Sequence, residues 1–179
     1  MEPIRRQKEI ERNNARNHPL ALAAEEYAHA VSQWFEQESS KQQLFSDALD
    51  EGSLEHTADR EEDDREDEFA SVIQWYQFFI AAKLIRALMS SVDEDDYLDG
   101  ESGRDADGSA KAALIGIDRS ISAWKLLYDL LNQKMEPSDA IQHLLVDLEK
   151  LRRSAEREFP GARDFIRPGF DEASLDVVH

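Results

Sequence analysis

The chain has 179 residues, 41% hydrophobic and 34% charged, with no cysteine and a formal net charge of -18. That length suits one domain with tails and is enough to bury a core. The lack of cysteine excludes disulfide frameworks, thiolate metal sites and cysteine nucleophiles and makes a reducing, cytoplasmic setting the expectation, while the acidity argues against direct binding to nucleic acid or to an anionic membrane, whose phosphates it repels.

In chain order, the opening "MEPIRRQKEIERNNARNHP" is charged, has no apolar core of a secretory signal and shows no hydrophobic face. Residues 1–17 are therefore expected to form a mobile or helical polar arm. Helical periodicity starts after "NHP", with Asn17 as the cap and Pro19 in the first turn, where a missing N–H costs nothing. Leu20, Ala24, Tyr27, Val31, Trp34, Phe45 and Leu49 return to one face at steps of three, four and seven, which predicts a helix to about Leu49.

Residues 46–68 carry twelve Asp or Glu against Arg60 and Arg65, and residues 93–107 carry eight against Arg104. Almost all of the net charge therefore sits in two short runs, and both are expected as long acidic loops, at about 50–67 and 91–108. Between them "FASVIQWYQFFIAAKLIRALM", residues 69–89, predicts a second helix with Phe69, Ile73, Tyr76, Ile80, Leu84 and Ala87 as its core stripe. Glu66, Asp67 and Glu68 suit the positive end of its dipole. A third helix follows "DADGS", capped by Asp107 or Ser109, and holds the apolar stretch "GSAKAALIGIDRSISAWKLLYDLL". A fourth opens after "EPS" with Ser138 as cap and with Ile141, Leu144, Leu145, Leu148, Leu151, Ala155 and Phe159 on one face. Residues 161–179 are expected to dock as an irregular tail through Phe165, Ile166 and Phe170.

No stretch alternates with the period of a strand. The expectation is an all-α chain, an antiparallel four-helix bundle over residues 18–160. Its middle helices are apolar over more than one face. Trp75, Phe78, Ile85 and Met89 on the second, and Ile115, Leu126 and Leu130 on the third, point away from the core stripes. In a closed monomer they would form a large exposed apolar patch, so either the tail or another chain covers them, and a homo-oligomer is expected.

Chemical motifs are sparse. Glu26 and His29 form one E-x-x-H, half of a di-iron carboxylate pattern, but no second copy follows and His29 lies about 200° around the helix from Tyr27. His143, with Asp139 four residues earlier, also faces away from its helix's apolar stripe. "DEDDYLDGESGRDADGS" fails as a calcium loop in both registers: with Gly100 sixth, Tyr97 is third and Ala106 twelfth, and with Gly108 sixth, Leu114 is twelfth. Phosphate-binding glycine loops, G-x-S-x-G elbows and H-E-x-x-H motifs do not occur. The pattern therefore calls for no cofactor, no metal and no catalytic residue. A membrane span through residues 73–89 would bury Lys83 and Arg86 at about 2.5–3.5 kcal/mol each, so no membrane is expected.

Four ionic residues stand out on the middle helices. Lys83 lies about 20° from Tyr76 on the core stripe, where an ammonium needs a carboxylate or a route to water; Asp118 is the expected partner. Arg86 and Arg119 hold boundary positions. Together Lys83, Arg86, Asp118 and Arg119 read either as a structural ion pair with arginines rimming an interface or as a cleft for an anionic group. The composite expectation is a non-catalytic, cytoplasmic protein acting through protein–protein contact and associating with itself. The alternatives are an acidic regulator, antitoxin-like or a nucleic-acid mimic, that binds a basic protein partner, and an enzyme with an unrecognised site in the bundle core.

Overall fold

A computed structural model of the protein describes residues 2–49, 57–92, 101–136, 138–167, 169 and 171. Five helices make it up: α1 (Glu2–Arg16), α2 (Pro19–Leu49), α3 (Thr57–Val92), α4 (Glu101–Gln133) and α5 (Asp139–Glu158). The described residues contain no strand, so the chain is all-α.

α1 is polar almost all round and touches the rest of the protein along Lys8, Glu11 and Ala15, a stripe with helical spacing. Ala15 is buried in the common core, and the helix rests on α3 and α2. Asn17 and His18 break it from α2. Pro19 takes the first position of α2, where it has no N–H to satisfy. The cap is His18 and not Asn17: its Nδ1 accepts the Leu20 N–H at 3.1 Å.

The acidic runs are the main departure from expectation. Residues 57–67 form the first turns of α3 and residues 101–108 the first turns of α4, so within the described residues the two long loops are helix. Positions 50–56 and 93–100 lie outside the described residues. The physical reason is that Glu, Ala and Arg are good helix formers and that carboxylates near a helix N-terminus are favoured by its dipole. Charge density alone does not stop a helix that a packed neighbour supports. Glu66 on the added turns pairs with Lys134 just past α4 at 2.8 Å, both side chains mostly buried.

Packing is most extensive between α3 and α4, and Gly116 explains why they come close. A Cβ there would stand 2.9 Å from Tyr76 Cδ1 and 3.1 Å from Ile80 Cγ1. The core is built from the expected stripes: Leu20, Ala24, Tyr27, Val31 and Trp34 on α2, Ile73, Ile80, Leu84 and Ala87 on α3, and Ile141, Leu144, Leu148, Leu151 and Ala155 on α5 are all buried. Trp124 of α4 is fully buried at the centre and meets Trp34 edge-on, ring centroids 5.1 Å apart. Its Nε1 donates to the Tyr27 hydroxyl at 2.9 Å, and burial pushes that phenol's pKa up. Gln77, buried on α3, donates to Ser32 Oγ of α2 at 2.7 Å.

α4 ends in a Schellman turn. Glu136 N–H reaches the Leu131 carbonyl at 2.8 Å and Met135 N–H reaches Asn132 at 3.1 Å, with Met135 at φ 59° where glycine is usual. Ser138 takes the N-cap position of α5 but makes no cap bond; its Oγ instead accepts from Trp34 Nε1 at 3.2 Å, tying α2 to the start of α5.

Candidate functional site

The outward face of α3 carries Trp75, Phe78, Lys83 and Arg86 of the residues that the sequence singles out. Trp75, Tyr76 and Phe79 form one ring cluster, with Trp75 centroids 4.8 Å from Tyr76 and 5.1 Å from Phe79. Two cations cover it. Lys83 Nζ lies 5.5 Å from the Phe79 centroid, and the Arg119 guanidinium lies 5.9 Å from that of Tyr76 and donates to its hydroxyl. Such contacts take up a positive charge on an apolar face without a carboxylate. Arg86, one helical repeat beyond Phe79, is exposed and makes no ion pair among the described residues.

Asp118 is elsewhere. The expected Lys83–Asp118 pair does not form; Asp118 accepts both Arg163 nitrogens, at 2.6 and 3.2 Å, and stands 3.5 Å from Arg152. Arg163 also reaches Glu156 at 2.9 Å, and its hydrogen bonds to Asp118 above all raise its pKa. On α4, Asp118 and Arg119 are about 100° apart, so one turns to α5 and the other to α3. The four ionic residues therefore do not converge on one cleft. Arg163 carried no signal in the sequence, because its position depends on the path of the tail.

The apolar candidates divide. Trp75 and Phe78 are 64% and 58% exposed and Leu126 is 48% exposed. Ile85 and Met89 are half-buried against the core, as Ile115 is half-buried, and Leu130 is buried at 8%. Leu130, expected on the exposed face, is instead buried; one turn beyond it Lys134 pairs with Glu66 of α3. Glu26, His29, Asp139 and His143 are all exposed. Among the described residues no three His, Asp or Glu side chains cluster as metal ligands would, and no helix is long and apolar enough to cross a membrane.

No protein-family model matches the chain, and no curated protein or solved structure matches it. Its function must therefore be argued from its own surface.

The described part of the tail is held by a second ionic group, away from the α3 face described above. The Phe165 ring lies over Gly108, where a Cβ would approach it to 3.3 Å. Lys111 donates to the Phe165 carbonyl and pairs with Asp171 at 3.0 Å, and Asp171 also accepts from Arg167 Nε at 3.0 Å and its backbone N–H at 2.8 Å. Ile166, expected to dock, is 47% exposed, and Phe170 lies outside the described residues. The Arg167 side chain first, then its N–H and Lys111, hold the Asp171 carboxyl well below the usual carboxylate range. A lowered folded pKa means that this contribution is complete above about pH 4, the unfolded value, and fades as pH falls through the folded one. Acidification from pH 7 to about 5 should leave the tail docked, and Asp171→Asn should loosen it at neutral pH. Trypsin cleavage after Arg163 at neutral pH reads the variant, and amide NMR spectra at pH 7 and 5 read the acidification: equal cleavage rates in the variant and the natural chain would show that Asp171 does not hold the tail.

Proposed function

We propose that the chain is a non-catalytic helical protein that works through protein–protein contact, first of all with a second copy of itself. The observation that carries this reading is the exposure of Trp75 and Phe78 one turn apart on α3, with Leu126 exposed on α4, the helix packed most closely against it. Large aromatic side chains gain most from being covered, and the cations beside them are already spread over Phe79 and Tyr76.

The frame for this surface is an antiparallel four-helix bundle of α2–α5 with α1 laid against α3 and α2. Contacts between neighbouring helices support it by stepping in opposite directions: Arg119 meets Tyr76 while Lys134 meets Glu66, Tyr128 meets Gln142 while Asp118 meets Arg152, and Trp34 meets Ser138 while His18 meets Glu158. A cytoplasmic setting belongs to the same proposal, on the ground of a chain without cysteine.

Sedimentation equilibrium at tens of micromolar tests it. The natural chain should sediment as a dimer, and Trp75→Ser with Phe78→Ser should shift it to monomer without loss of helicity. A strict monomer at that concentration overturns the self-association reading.

A second reading rests on the acidic turns of α3, where Asp64, Asp67 and Glu68 are all exposed: this end docks on a basic surface of another protein. Capture of such a partner should fall steeply with salt. Capture that is indifferent to salt counts against it.

A further inference from the structure

The outward stripe of α3 is patterned along its length. Asp64, Glu68, Trp75, Phe78, Ala82 and Arg86 recur at steps of three, four and seven residues, so they lie on one side of the helix, and every one is exposed. Acid occupies the N-terminal end, aromatic rings the middle and base the C-terminal end. Lys83 adds to the basic end, half-buried beside Phe79. From Phe69 to Ser91 the sequence has no acidic residue at all, in a chain with 39 of them.

We infer that α3 pairs antiparallel with α3 of a second copy, about a two-fold axis at Trp75. The inference rests on the self-association proposed above and adds its register. About such an axis, position 75 + n faces position 75 - n. Arg86 then meets Asp64 of the other copy, and Ala82 and Lys83 meet Glu68 and Asp67; the two Trp75 rings meet at the centre. Each charge pair occurs twice, as the symmetry of an isologous contact requires. A parallel pairing would set Asp64 against Asp64 and Arg86 against Arg86, so the charge order itself selects the antiparallel sense. The small Ala82 side chain lets the helices come close beside the ionic ends. The stripe from 64 to 86 spans about 33 Å, and Leu126 of α4 extends its apolar part to the neighbouring helix.

Charge reversal across the axis tests the register. Asp64 and Arg86 of one copy lie about 33 Å apart along the same helix, so they cannot compensate each other within a chain. Arg86→Glu alone and Asp64→Lys alone should each weaken the dimer about tenfold, because two symmetric attractions become repulsions. Both changes in one chain should restore the dissociation constant to within about threefold of the natural value. Both positions are exposed, so circular dichroism should show the same helicity across the set. Single variants without effect, or a double variant as weak as the two losses combined, overturn the register while leaving self-association standing. A natural chain that stays monomeric overturns both.

Discussion

Replacing Trp124 with alanine should lower the unfolding free energy by about 3–5 kcal/mol, the largest effect expected of any single change in this chain. Trp124 is fully buried where α2 and α4 meet, edge-on to Trp34 and 6.0 Å from Phe35 between ring centroids. Removing the indole leaves a cavity among rings and takes away the donor that serves the Tyr27 hydroxyl. The Ser120 hydroxyl, itself fully buried, has no hydrogen-bond partner among the described residues, so nothing there replaces the lost donor. An orphaned buried polar group adds its own cost. Against a typical total of about 5–15 kcal/mol, that is a large share of the stability of the chain. Trp124→Phe should lose less, since a ring still fills most of the space. Urea denaturation followed by circular dichroism measures both, and an alanine variant within about 1 kcal/mol of the natural chain would show that this centre is not tightly packed.

Gly116→Val should cost about 2–3 kcal/mol, although glycine inside a helix is ordinarily the weaker choice. The added Cβ would meet Tyr76 Cδ1 at 2.9 Å, Ile80 Cγ1 at 3.1 Å and Phe79 Cδ1 at 3.5 Å, three residues on the facing turn of α3. α3 and α4 must part or the rings must turn, and either response moves Tyr76 away from Arg119. Gly116→Ala separates the two opposing terms. Its gain in helix propensity of about 1 kcal/mol should be offset by the same contact, leaving stability unchanged or lower. A Gly116→Ala protein more stable by that full amount would mean that the close approach has room to spare. Because Trp75 packs on Tyr76 and Phe79, the valine variant should also weaken the proposed self-association.

Much of the fold was legible. The stripes of α2, from Leu20 to Trp34, and of α5 are readable because each helix buries one face and its period is local; the side chains of Phe45 and Leu49 lie outside the described residues, and every residue expected on α5 is buried or half-buried. The start at Pro19 followed from the chemistry of a residue without an N–H. The described parts of the acidic runs are helix where repeated charge suggests loops, for a definite reason: a carboxylate-rich helix needs only a favourable terminus and a neighbour to rest on. Lys134 and the end of α4 supply that neighbour to Glu66. The exposed face is narrower than the sequence suggests, because Leu130 is buried and Ile85, Met89 and Ile115 are half-buried. Trp75, Phe78 and Leu126, expected to point away from the core stripes, are exposed.

The ionic residues show where local reading stops. Lys83 was placed beside Tyr76 by arithmetic along one helix, and it does lie in that neighbourhood, over Phe79. Its partner was not a matter of arithmetic, because Asp118 and Arg119 differ by a single step and only the rotation of α4 decides which of them faces α3. Arg163 could reach Asp118 only once the tail turned back after Phe159. By itself, then, the sequence determined that the chain is helical, which faces its helices bury and that an aromatic stripe stays outside, since hydrogen bonds and periodicity within a helix are local. Only the tertiary structure decided which cation meets a ring and which meets a carboxylate, because those partners depend on the rotation and register of helices far apart in the chain.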